Sequence, residues 1–161
     1  MSKKLKVIII DDEKLARDLI RSFLAKYTDM EIVAECENGF EGIKSINEYK
    51  PDLIFLDIQM PKLNGFEMLE LIDEELNIIF STAYDQYALK AFEVNAVDYL
   101  LKPFSRERFD EAVKRVLERI EKAEPIIQKP KELAGKFVSE NEILKRIVVK
   151  KNQKIEIVPV E

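Results

Sequence analysis

The chain has 161 residues, 47% of them apolar, with 26 basic and 31 acidic side chains, a formal charge of −5 and no histidine. That length buries one good core with a small appendage, and no apolar run approaches the roughly 20 residues that span a bilayer. Without histidine, Ser/His/Asp and Cys/His nucleophilic triads and His-ligated zinc sites are excluded, so chemistry must run on carboxylates, lysine and hydroxyls.

The N-terminus MSKKLKVIII runs straight into Asp11 without a cleavable signal pattern, which predicts a soluble, cytoplasmic protein without a membrane partner. The single cysteine, Cys36, forms neither an internal disulfide nor a CxxC site and is read as packing.

Short aliphatic runs alternate with longer segments of helical period, the pattern of a parallel sheet with crossover helices. The first strand is expected over 5–10, followed by a helix over 13–27 with Leu15, Leu19, Phe23 and Leu24 on one face. Strands at 31–36, 53–56 and 77–80 precede helices at 40–48, 65–73 and 84–93. A fifth strand at 97–101 leads to a helix at 106–123, with Ser105 as N-cap and Phe109, Val113, Val116, Leu117 and Ile120 at helical spacing. The first three strands are nearly continuous hydrophobics, as burial on both faces requires. The expected fold class is therefore α/β, a (βα)5 doubly wound parallel sheet in a domain spanning 1–123.

The segment EPIIQKPKELAGK, with two prolines, a glycine and no clear period, is read as a linker over 124–136. Residues 1–128 carry a net −8 and residues 129–161 a net +3, so the tail has a different character and is assigned to another module. Within it, strand-like runs at 146–149 and 154–158 flank a polar turn near Asn152, giving a β-hairpin-like C-terminal tail.

Ligands of open α/β sheets bind outside the carboxyl ends of the strands. Here those ends carry Asp11 and Asp12, then Asp57, then Ser81 and Thr82, then Lys102. Three converging carboxylates imply a compensating cation, and an all-oxygen donor set suits Mg2+. A carboxylate beside a divalent ion and an ammonium is a suitable nucleophile for a phosphoryl group, because both cations offset charge on the equatorial oxygens. Asp57 is the expected phosphoacceptor, with Thr82 able to donate a hydrogen bond. The blander readings are a capping pair at Asp11 and Asp12, a turn residue at Asp57, a helix cap at Thr82, a solvated Lys102, and ordinary core for Tyr99.

Four motifs in order, DDE at 11–13, DIQMPKLNG at 57–65, STA at 81–83 and YLLKP at 99–103, resemble the response regulator receiver family over about residues 5–122. The resemblance implies a flavodoxin-like sheet of strand order 2-1-3-4-5. It also implies that Asp57 accepts phosphate from a histidine kinase, and that Asp12 and the backbone carbonyl of Gln59 bind Mg2+ with Asp57. Asp11 would act largely through a metal-bound water. Thr82 and Lys102 would contact phosphoryl oxygens, Tyr99 would be the aromatic switch residue, and Lys102–Pro103 would be a cis peptide.

A finer resemblance lies in TAYDQYALKAFEVNAVDYLLKPF at 82–104, which looks like the receivers of LytTR (LytR/AlgR-type) transcription regulators. RIVVKKNQKIEIVPVE is similar to the opening strands of the LytTR DNA-binding domain, which implies a partial domain over 137–161 and DNA binding only through a complete one. Homodimerisation on phosphorylation, controlling transcription, is the implied output. A receiver-only adaptor or phosphorelay protein is the alternative. An aspartyl phosphatase would want a second acid where Gln59 stands, so only slow self-phosphorylation and self-dephosphorylation are expected, not enzymatic turnover. A dinucleotide enzyme lacks its GxGxxG after the first strand.

Overall fold

The computed structural model describes residues 4–122. The linker expected at 124–136 and the hairpin-like tail expected at 137–161 lie outside the described residues. Five parallel strands, β1 (Leu5–Ile10), β2 (Met30–Cys36), β3 (Leu53–Leu56), β4 (Asn77–Thr82) and β5 (Asp98–Leu101), alternate with five helices. These are α1 (Lys14–Leu24), α2 (Gly39–Tyr49), α3 (Gly65–Glu70), α4 (Ala88–Glu93) and α5 (Arg106–Glu121). The sheet order is β2-β1-β3-β4-β5, the flavodoxin-like order expected from the sequence.

Because successive strand side chains point to opposite faces, the central strands feed two separate cores. Ile8, Ile10, Ile54, Leu56, Ile78 and Phe80 pack with Ile46, Phe66, Met68 and Ala91 of α2, α3 and α4. Val7, Ile9, Leu53, Phe55, Ile79 and Leu100 pack with Ile20 and Leu24 of α1 and with Phe109, Ala112, Val113 and Val116 of α5. Phe55 stacks on Phe109 with ring centroids 5.3 Å apart. The helices start where their caps stand: Asn38, Asn64 and Ser105 each accept a backbone N–H from the first turn, and Asn64 completes a capping box with Glu67.

Several expected boundaries move. α1 ends at Leu24 rather than 27, because the bonds that follow, from Ala25 to Ser22 and from Tyr27 to Leu24, are those of tight turns. Its buried face is Arg17, Ile20 and Leu24, whereas Leu15 is 82% exposed and Leu19 38% exposed, so the apolar stripe expected through Leu15 and Leu19 is corrected by about one residue. α3 stops at Glu70. α4 begins at Ala88 rather than 84, because the Tyr84 amide turns back onto the Thr82 hydroxyl. β4 runs on through Thr82, because Ser81 and Thr82 pair with Leu100 and Leu101.

Candidate functional site

The site forms where the ladders of the sheet run one residue past the strands. Asp11 N–H donates to the Cys36 carbonyl (3.0 Å), Asp57 N–H to that of Ile10 (2.9 Å), and Lys102 N–H to that of Thr82 (2.7 Å). These bonds hold the backbones of the two acids and the lysine at one edge. Asp57 Oδ1 accepts from the Ile58 amide at 2.7 Å, and Asp11 Oδ1 from the Glu13 amide at 2.9 Å. The Lys102 ammonium lies 2.9 Å from Asp11 Oδ2, 3.3 Å from Glu13 Oε1 and 3.5 Å from Asp57 Oδ2.

One carboxylate oxygen from each of Asp11, Asp12 and Asp57 falls within 4.8 Å of the other two. Asp11 and Asp57 are buried, while Asp12 is exposed. The donor set is all oxygen, two of its members are nearly dry, and one ammonium faces three negative charges. That excess of negative charge fits a small, hard divalent cation such as Mg2+, which takes carboxylates together with waters.

The electrostatics follow from the same crowding. Burial, reinforced by the charge of Asp11, pushes the Asp57 carboxyl up from 3.8 to about 7, against the pull of Lys102 and the Ile58 amide. Burial also raises Asp11, although the Glu13 amide and Lys102 oppose it. Burial works against the Lys102 ammonium, but the Asp11 bond and the charges of Asp57 and Asp11 outweigh it, so its pKa is raised.

An open cleft beside Asp57 is walled by Asp12, Glu13, Gln59, Met60, Pro61, Ala83, Tyr84 and Lys102. Gln59 forms one wall, and its side-chain amide donates to the Tyr87 hydroxyl at 2.7 Å. Thr82 is fully buried and is not part of that wall; its hydroxyl accepts from the Tyr84 amide at 3.4 Å. Ser81 beside it is also buried, and its hydroxyl has no partner among the described residues. Tyr99 is half-buried, and its hydroxyl donates to the Tyr84 carbonyl. Lys102–Pro103 is cis. Cys36 is buried, with its thiol against the Ser45 hydroxyl at 3.4 Å.

Two participants escaped the sequence reading. Glu13 was visible in the DDE motif, but its approach to Lys102 is a tertiary contact. Arg17 is buried on α1 and donates to the Asp11 carbonyl at 2.6 Å. Its signal was a charged residue three positions before Ile20 and seven before Leu24, on the buried stripe.

A family model described as the response regulator receiver domain matches residues 7–114. The transcriptional regulatory protein BtsR of Escherichia coli is 44% identical over 136 residues, covering 83% of this chain and 57% of BtsR. An uncharacterized response regulatory protein of Vibrio cholerae is 47% identical over 122 residues, covering 74% of this chain and 52% of that protein. The chain thus spans about half the length of the curated relatives it matches. Among solved structures, the response regulatory domain of mrkE from Klebsiella pneumoniae superposes with a TM-score of 0.68 at 33% identity, covering 73% of this chain and 99% of that one. The REC domain of AraT, a response regulator from Geobacillus stearothermophilus, gives 0.68 at 35% identity, covering 75% and 98%. By sequence and by fold, the chain belongs to the response regulator receiver domain family.

Proposed function

We propose that this chain is a phosphorylation switch of a two-component system, in which Asp57 takes a phosphoryl group from a histidine kinase. The observation that carries the reading is Lys102 Nζ at 3.5 Å from Asp57 Oδ2, within a cluster whose three aspartate oxygens stand 4.8 Å or less apart. An Asp57 oxygen attacks phosphorus, a P–O bond forms, and the bond to the donor breaks. Asp12 and Asp57, with the Gln59 carbonyl, would hold Mg2+, and Asp11 would act through a bound water. The ion would supply charge neutralisation for the transferring group. Lys102 stays protonated and faces the phosphoryl oxygens, while the burial of Asp57 keeps competing water away.

Thr82 is the residue that must move. Its hydroxyl oxygen accepts from the Tyr84 amide and keeps its own proton to donate, and the Tyr84 carbonyl in turn accepts the Tyr99 hydroxyl. Drawing Thr82 toward a new phosphoryl group would release that turn and free Tyr99 to change its packing. A local charge change would thereby bias a bistable element.

Likeness to BtsR, described as a transcriptional regulatory protein, supports control of transcription as the output, through homodimerisation of the phosphorylated receiver. On the same likeness and the motif at 82–104, we place the chain among LytTR-type regulators in the cytoplasm. Residues 124–136 are then the linker and 137–161 the opening strands of the DNA-binding domain, with DNA reached only through a complete domain. No described helix is long and apolar enough to cross a membrane. Intact mass after incubation with acetyl phosphate and Mg2+ tests the reading. The wild type should gain one phosphoryl group and Asp57→Asn none; equal labelling of both rejects the assignment.

A further inference from the structure

Arg17 is a buried guanidinium whose carboxylate partners do not account for its burial. Glu35 Oε1 is 3.6 Å from its Nε, and the other oxygen of Glu35 is already held by Arg21 at 2.6 Å. Glu37 is 4.0 Å away and mostly exposed. The one short contact is Nη1 to the Asp11 carbonyl at 2.6 Å. Desolvating a charge is costly, so the bond that accompanies it ranks above an ordinary surface pair.

That carbonyl belongs to the peptide joining Asp11 to Asp12. A planar peptide held at its oxygen fixes the ψ of Asp11 and the φ of Asp12, and so the direction in which each side chain leaves the backbone. Asp11 has further restraints at its amide and at both carboxylate oxygens. Asp12 has none of these: its carboxylate is exposed and takes no hydrogen bond among the described residues. Its place in the three-oxygen cluster therefore depends on the backbone that Arg17 holds. α1 carries Arg17 to this position because residues 17, 20 and 24 form its buried stripe.

We propose that Arg17 is a positioning residue for the divalent-cation site, its guanidinium fixing the Asp11–Asp12 peptide so that Asp12 meets Asp11 and Asp57 at ligand spacing. The inference rests on the proposed Mg2+ reading of that cluster. Arg17 touches neither ion nor phosphate and acts only through the peptide it holds.

The test is Mg2+ affinity of the whole chain by isothermal titration calorimetry, with urea unfolding recorded alongside. Removing a group that orients a metal ligand typically weakens binding by about 10- to 100-fold, and Arg17→Met is expected in that range. Arg21→Met, which breaks the neighbouring pair to Glu35 without touching Asp11, should bind Mg2+ as the wild type does. Amide resonances of residues 11–13 should shift in Arg17→Met before any Mg2+ is added. A folded Arg17→Met with wild-type affinity overturns the inference. If that variant does not fold, Arg17→Lys decides. A lysine offers one point donor in place of the guanidinium fork, so the amide resonances of residues 11–13 are read with it: a loss of about threefold or more as they shift supports the role, and shifted resonances with unchanged affinity overturn it. Should the wild type itself bind no Mg2+, the metal reading falls and this inference with it; should the wild type bind and both Arg17 variants match it, only the inference falls.

Discussion

Lys102 Nζ lies 3.5 Å from Asp57 Oδ2 although 45 residues separate them in the chain. The bond from Lys102 N–H to the Thr82 carbonyl holds the lysine's backbone at the end of the sheet. The ammonium is the one cation among the described residues lining the cleft.

Replacing Lys102 by methionine therefore leaves three acids without their ammonium and removes the charge that opposes protonation of Asp57. Phosphorylation by acetyl phosphate should slow by about 100-fold, the scale of losing one preorganised electrostatic contact. Lys102→Arg should recover only part of the rate, because a planar fork does not occupy the place of a point charge. Time courses of intact mass give both numbers, and a Lys102→Met rate equal to wild type would remove the lysine from the mechanism.

Neutralising Asp57 should stabilise the metal-free protein. Its folded-state carboxyl is raised from 3.8 to about 7, so ionising it in place costs stability that an unfolded chain does not lose. That cost is absent below pH 3.8, grows as pH rises, and is complete above about 7. Asp57→Asn should accordingly gain about 2 kcal/mol at pH 8 and a little under half of that at pH 5. Mg2+ should raise the wild-type melting temperature and leave the variant nearly unchanged, since binding to the native state alone stabilises it. Thermal melts at both pH values, with and without Mg2+, check the sign.

Asp98 predicts the opposite pH dependence. Burial raises its pKa, but two hydrogen bonds from Arg108, the Tyr99 amide and the charges of Arg108 and Arg115 outweigh burial and hold it below 3.8. Its stabilisation is fully present above pH 3.8 and is lost as pH falls through the depressed folded value. Arg108 also donates to the Tyr99 carbonyl at 3.3 Å, so the same cluster anchors the backbone of Tyr99. Asp98→Asn should cost about 2 kcal/mol at pH 7, discounted for two partly exposed arginines, and less at pH 3. Urea unfolding at the two pH values measures it; equal losses would show that the arginines do not hold the carboxylate.

How much of this was legible in the sequence differs by element. Strands such as Leu53–Leu56 were read without error because a short, wholly apolar run bounded by Pro51 and Asp57 has one solution in a buried parallel sheet. An open α/β sheet gathers the residues at its strand ends, so Asp11, Asp57 and Lys102 were expected together as soon as the strands were placed, and the structure brings them together. Helix ends were read less well. A periodic pattern does not say which backbone groups will be captured, and the Thr82 hydroxyl captures the Tyr84 amide where a helix was expected. The stripe on α1 went wrong for a related reason: Leu15 and Leu19 match the helical period, but burying Arg17 rotates the helix toward Ile20. Hydrophobicity alone ranks an arginine last for that position. Arg17 and Glu13 acquire their parts only through contacts that the fold creates.

Gly65 begins α3 against Asp57, the proposed phosphoacceptor. A Cβ added there would stand 2.6 Å from the Asp57 carbonyl oxygen and 3.2 Å from Ile58 Cα, while its own amide donates to the Ile58 carbonyl at 2.9 Å. Both obstacles are backbone, so no rotamer change relieves them, and the Asp57–Ile58 peptide must shift. Gly42 is the contrast: its added Cβ would meet Ile10 Cδ1 and Met68 Sδ at 2.9 Å, the ends of flexible side chains. Gly65→Ala should cost about 2 kcal/mol, in the range of overpacked interiors, and slow labelling of Asp57 by about tenfold or more even where the protein is fully folded. Gly42→Ala should cost less than about 1 kcal/mol, because alanine's helix propensity offsets part of the crowding, and should leave labelling unchanged. Urea unfolding and intact-mass time courses on both variants separate the effects. A folded Gly65→Ala that labels at the wild-type rate would show that the reactivity of Asp57 tolerates displacement of its own peptide.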